Sequence, residues 1–137
     1  MRVQAGTLMI ATGVVHNAFG LLLGLGVLPA PDGLRRNLVA AMYREGLVGT
    51  AEVDPLRMTF FWFELFGALC LLLGSLMCSV EARGQALPAR LGWQLLALTL
   101  AGLLFVPASG LWLLLPQAAL ILLRARRACQ RPGSAAS

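Results

Sequence analysis

The chain holds a single histidine and, inside its most apolar run, a single carboxylate. An imidazole and a carboxylate can exchange a proton near neutral pH or orient a polar ligand. Glu64 stands within Phe60-Phe61-Trp62-Phe63-Glu64-Leu65-Phe66-Gly67, in a stretch otherwise uncharged from Met58 to Val80. His16 lies in another such run, between Arg2 and Asp32. Hydrocarbon solvates both groups poorly, so each must be paired, neutral or turned toward water. Asn17, beside His16, and Gln117, after Pro116, are amides placed to join them.

Two roles are open to this set. One is a proton-handling or ligand-holding pair; the other is an interhelical hydrogen bond in which each residue satisfies its partner. A lone His and Glu without a third convergent group make a thin catalytic set, which favours the structural role and names no catalytic residue. A metal would need at least one more good ligand, so neither metal nor cofactor is expected. Cys70, Cys78 and Cys129 are odd in number and lack CxxC or Cys/His spacing, which fits no disulfide framework or zinc site. There is no Walker loop, dinucleotide fingerprint or nucleophile elbow.

The elements that must carry these residues follow from composition. With 58% hydrophobic residues, 12% charged and a mean hydropathy of +0.78, the chain is too apolar for an ordinary soluble domain. The net charge of +5 does not point to nucleic acid, because the arginines sit in short connectors and the tail with no aromatic-interleaved basic surface. Basic residues at helix ends serve instead as topology signals and headgroup contacts.

A spanning helix needs about 20 mostly apolar residues. Gly6 to about Val27 meets that need, ending at Gly24, Gly26, Pro29 and Pro31 with an Asp32-Gly33 turn. The uncharged run after Arg2 exceeds the apolar core of a typical signal peptide, so an uncleaved first span is expected. Residues 34 to 50 place Leu34, Leu38, Ala41, Met42, Leu47 and Val48 at helical spacing among Arg35, Arg36, Arg44 and Glu45. That pattern predicts a short amphipathic helix, read first as a connector resting on the membrane surface and, as the alternative, as a lid or partner surface over the bundle. Gly46, Gly49 and Thr50 end it, and Asp54-Pro55 caps a second span to Val80. Glu81, Arg83 and Gly84 break that span. No residue is charged from Leu91 to Leu123, a run too long for one crossing, and Pro107-Ala108-Ser109-Gly110 supplies a tight hairpin. The third span is therefore about Pro88 to Val106 and the fourth about Leu111 to Ala125, with a kink and a freed carbonyl at Pro116.

Four spans place both termini and the 81 to 90 loop on one side. Seven arginines lie there (Arg2, Arg83, Arg90, Arg124, Arg126, Arg127 and Arg131) against four in the 28 to 57 connector (Arg35, Arg36, Arg44 and Arg57), so the termini are expected in the cytoplasm. In that topology His16 lies about 16 Å before the outer end of the first span and Glu64 about 14 Å after the start of the second, at matching depth. Gly13, His16, Gly20 and Gly24 form one helical stripe; Glu64, Gly67, Leu71, Gly74 and Cys78 form another. Small residues at these steps let membrane helices approach closely, so the spans are expected to pack through Gly13, Gly20, Gly67 and Gly74, bringing His16 near Glu64.

Several motifs carry a resemblance: Gly13-x-x-His16-x-x-x-Gly20, Phe61-Trp62-Phe63-x-x-Phe66-Gly67, Leu91-Gly92-Trp93, and Pro107-x-Ser109-Gly110-x-Trp112 continuing to Leu115-Pro116. From about Thr7 to Leu123 the chain resembles a family of small four-helix bacterial integral membrane proteins of unknown function. The resemblance implies an inner-membrane location and a four-helix bundle, and supplies no catalytic residues.

The expectation is thus an all-α membrane protein. A four-helix transmembrane bundle occupies residues 1–127, with a short amphipathic helix between its first two spans, and residues 128–137 form a disordered cytoplasmic tail. Its surroundings are the lipid bilayer and a membrane-protein partner or a second copy. Its role is that of a non-enzymatic binding or accessory component; the alternative is a membrane enzyme or proton-coupled carrier acting on a lipophilic substrate.

Overall fold

Apolar runs punctuated by proline, glycine and capping side chains become helices in the computed structural model, which describes residues 4–28, 37–46, 54–107 and 109–130. Among the described residues five α-helices follow one another: α1 (Ala5–Gly24), α2 (Leu38–Glu45), α3 (Pro55–Ala82), α4 (Ala89–Phe105) and α5 (Leu114–Cys129). A 3-10 turn, Gly110–Leu113, leads into α5, and the described residues contain no strand. The described residues are all-α, as the sequence implies. Two helices, α1 and α3, are long and apolar enough to cross a membrane by length and composition; α4, with 17 residues, is a shorter apolar helix. Pro29, Pro31, the Asp32-Gly33 turn, Arg35, Arg36, Gly49, Thr50, Ala108, Arg2, Arg131 and most of the expected tail lie outside the described residues.

Local chemistry sets the helix ends. Gly26, at φ 73, closes α1, with the Gly26 amide on Leu23 O and the Val27 amide on Leu22 O. That pattern satisfies carbonyls the helix end would leave open and requires a left-handed residue. Gly84 closes α3 in the same manner. Asn37 caps α2 by accepting the Ala40 amide at 2.8 Å, and Asp54 caps α3 by accepting the Leu56 amide at 2.9 Å ahead of Pro55.

Two compact units divide the chain. One is Gly13–Cys70; the other joins Met1–Thr12 to Leu71–Ser137. In the second, α4 buries Gly92, Leu95, Thr99 and Leu103, a helical stripe, and α5 buries Leu114, Gln117, Ala118 and Ile121. Gly92 makes their approach close: a Cβ there would stand 2.8 Å from Leu122 Cγ and 3.1 Å from Ile121 Cγ2. Thr99, fully buried, returns its hydroxyl to Leu95 O at 2.7 Å, so no polar atom of its side chain is left bare.

The hairpin between α4 and α5 forms where expected. Ser109 accepts the Leu111 amide at 3.4 Å and Trp112 Nε1 donates to Pro107 O at 2.8 Å. The fourth helical segment begins within this turn and continues past Arg124, Arg126 and Arg127 to Cys129, so it is longer than Leu111 to Ala125. Pro116 does not interrupt a helix interior. It falls in the first turn of α5, and the Leu114 amide reaches Trp112 O, so the amide that proline lacks costs little there.

Candidate functional site

Within the Gly13–Cys70 unit, α1 and α3 meet in an antiparallel register that pairs large side chains with glycine. Asn17 Oδ1 lies over Gly67, Glu64 Oε1 over Gly20, and the Phe60 ring over Gly24, where a Cβ would stand 2.6 Å from Phe60 Cζ. Steps of three and four residues along α1 are matched by equal steps back along α3, the repeat of one helical face. A Cβ at Gly20 or Gly67 would collide with the polar tip seated on it. Glycine at these two positions therefore makes the cradles that hold the carboxylate and the amide.

His16 belongs to the same helix pair but takes its hydrogen bond from the backbone. Its Nε2 donates to Phe63 O at 3.0 Å, and since a carbonyl only accepts, the proton of this bond is on Nε2. The ring stacks on Phe63 at 3.7 Å between centroids and meets the edge of Phe66 at 5.3 Å. No hydrogen bond joins His16 to Glu64 among the described residues. Glu64 Oε1 and Asn17 Oδ1 are both buried and have no hydrogen-bond partner there. The site thus presents two acceptor oxygens without donors, beside an imidazole already engaged.

Gln117 belongs to the other unit, where it is only 2% exposed and its Nε2 donates to Thr12 Oγ1 at 2.8 Å and Leu8 O at 3.3 Å. Its Oε1 is buried without a partner. Gly74 is also in that unit, close against Ile10, and a Cβ there would stand 2.8 Å from the Ile10 amide nitrogen. Gly13 is buried.

Two polar clusters were not anticipated from the sequence. In the unit containing α5, Glu81 Oε1 accepts the Ala5 amide at 3.1 Å and Arg124 at 2.6 Å, while Oε2 accepts the Gly6 amide at 3.0 Å. A carboxylate from the last turn of α3 thereby caps the first turn of α1, which has no acidic residue of its own. A signal was present: an acid closing one apolar run, an arginine closing another, and an uncapped helix start. In the Gly13–Cys70 unit, Arg57 pairs with Glu45, lies 3.2 Å from Asp54 Oδ2, and donates to Gly46 O at 3.3 Å.

No group of three or more potential metal-ligating His, Cys, Asp or Glu side chains occurs among the described residues. Cys70, Cys78 and Cys129 are free thiols.

The chain belongs to a family of unknown function (DUF6463), whose model matches residues 1–128. No curated protein and no solved structure matches it.

Proposed function

We propose that this member of the family is a multi-pass protein of the bacterial inner membrane. It acts as a non-enzymatic binding or accessory component whose small polar site comprises His16, Asn17 and Glu64. The observation that carries the reading is the pair of buried, unpartnered acceptors, Asn17 Oδ1 and Glu64 Oε1, on the two helices apolar enough to cross a bilayer. Burying polar oxygens without donors is unfavourable, and proteins retain such groups where they have work to do.

Exposure supports the membrane part. A soluble core helix is mostly buried, yet only 28% and 22% of the most apolar windows of α1 and α3 are buried. The outward residues include Val14, Val15, Phe19, Leu21 and Leu22 on α1, and Trp62, Leu69, Leu72 and Leu76 on α3. Hydroxyls on α3 are satisfied within the helix: Ser75 donates to Leu71 O at 2.9 Å and Ser79 to Ser75 O at 3.0 Å, as lipid exposure demands. We place the third and fourth spans at α4 and at the 3-10 turn with α5. Leu104 and Phe105, 84% and 85% exposed, and the half-exposed Trp93 and Trp112 suit lipid and interface contact. The arginine count sets the termini in the cytoplasm.

The test compares the wild-type chain with His16→Ala and Glu64→Gln, each purified in mild detergent and examined by native mass spectrometry for bound molecules and partners. A bound species present in the wild type and lost from Glu64→Gln, with helical circular dichroism unchanged, is the expected result. Identical bound species in all three would sink the binding role. A lipid- or proton-linked phenotype lost without any bound species would favour a carrier or enzyme instead.

A further inference from the structure

Arg57 is the residue through which α2 is tied to α3. Its side chain is only 11% exposed, and it reaches three groups: the Glu45 carboxylate, Gly46 O and Asp54 Oδ2. The first two belong to the C-terminal end of α2, and Asp54 is the cap of α3. One guanidinium fork therefore joins the close of one helix to the start of the next, a use its planar set of donors suits.

What α2 covers is the next layer inward. Val39 of α2 packs at Gly24, where a Cβ would stand 3.3 Å from Val39 Cγ2 and 2.6 Å from the Phe60 ring. Arg57, Phe60, Glu64 and Gly67 follow one another at steps of three and four, on one face of α3. The Glu64 oxygen seated on Gly20 is thus one helical turn beneath the Phe60–Gly24 layer on which α2 rests.

α2 is also built to be separable. It has eight residues, its sole buried residue is Leu38, and it carries its own cap at Asn37 and a left-handed stop at Gly46. Tyr43 is 92% exposed. Glu45 is 56% exposed, so its pairing with Arg57 is reached by water and screened by salt, strong enough to bias α2 and weak enough to release it.

From this geometry we infer that α2 is a cover over the Asn17–Glu64 site, latched by Arg57 onto Glu45 and Gly46. The inference rests on the reading of that site as a binding site and adds control of access to it. Opening the latch lifts Val39 from the Phe60–Gly24 layer and lets water-borne reagents reach it.

Access is measured by thiol chemistry on the full chain in mild detergent. Cys70, Cys78 and Cys129 are replaced by alanine, Phe60→Cys is introduced, and the rate of reaction with a water-soluble maleimide is followed. With the latch intact, labelling should be slow. Glu45→Gln should speed it by roughly threefold, and Arg57→Gln by roughly tenfold, as loss of one and of all latch contacts shifts the closed population. Equal rates in the parent and Glu45→Gln, both with wild-type circular dichroism, would overturn the latch even if Arg57→Gln fails to fold. Loss of the bound species from Glu64→Gln is scored separately, so a failed latch and a failed binding site give different results.

Discussion

Arg124 donates to Glu81 Oε1 at 2.6 Å, and the same oxygen accepts the Ala5 amide at 3.1 Å. The Glu81 side chain is 7% exposed, so its charge is held by an arginine and two helix amides rather than by water. Glu81→Gln keeps the shape but loses the charge and half of the acceptors. The expected loss of stability is about 1–3 kcal/mol, from hydrogen bonds to a charged group at a helix start. Thermal unfolding followed by circular dichroism checks it, and the loss should couple to that of Arg124→Gln in a double-mutant cycle. A Glu81→Gln protein that melts with the wild type would show the clamp to be inert.

At Gly67 the added methyl of alanine would meet Asn17 Oδ1. Gly67→Ala should destabilise the chain by about 1–3 kcal/mol, the usual range for overpacking a close contact. Asn17→Ala in that background should recover part of the loss, because it removes the atom that collides. Additive effects of the two substitutions would mean that they do not touch.

Gln117 and Thr12 form a buried polar pair with one oxygen, Gln117 Oε1, left over. Thr12→Val or Gln117→Leu alone should cost about 1–2 kcal/mol, since each strands its partner's polar atom. The combined substitution should lie closer to wild type than the sum, because both polar groups leave together and the orphan oxygen goes with them. Strict additivity in thermal unfolding would contradict this.

For His16 the ring and the proton can be separated. His16→Phe keeps an aromatic face against Phe63 but loses the donor to Phe63 O, at an expected cost of about 0.5–1.5 kcal/mol. His16→Ala also loses the stacked contact and should cost about 0.5–1.5 kcal/mol more. Equal losses in the two variants would assign the whole contribution to the hydrogen bond.

Particular residues show how far the sequence can be read. Asp54-Pro55 announced the start of α3, Gly26 and Gly84 the ends of α1 and α3, and Ser109-Gly110 the turn before α5, because caps and left-handed glycines act within a few residues. At Gly20 and Gly67 an added Cβ would meet Glu64 Oε1 and Asn17 Oδ1. The partners of the polar side chains were less accessible. Depth pairs His16 with Glu64, whereas its Nε2 donates to Phe63 O, and a backbone carbonyl leaves no mark on residue types. Gln117 donates to Leu8 O and Thr12 Oγ1, partners 109 and 105 residues away that no local pattern marks.

By itself, then, the sequence determined that the described chain is helical and where α1 and α3 are capped or stopped, because apolar period, proline, glycine and capping oxygens act locally. Only the tertiary structure decided which donor meets which acceptor. Glu81 closes on Arg124 and the first turn of α1, Arg57 gathers Glu45, Gly46 and Asp54, and Asn17 and Glu64 are seated on glycine without donors. A hydrogen bond is fixed to within a few tenths of an ångström and a few tens of degrees. That precision comes from the rotation and register of packed helices, which residue spacing constrains only to a face and a turn.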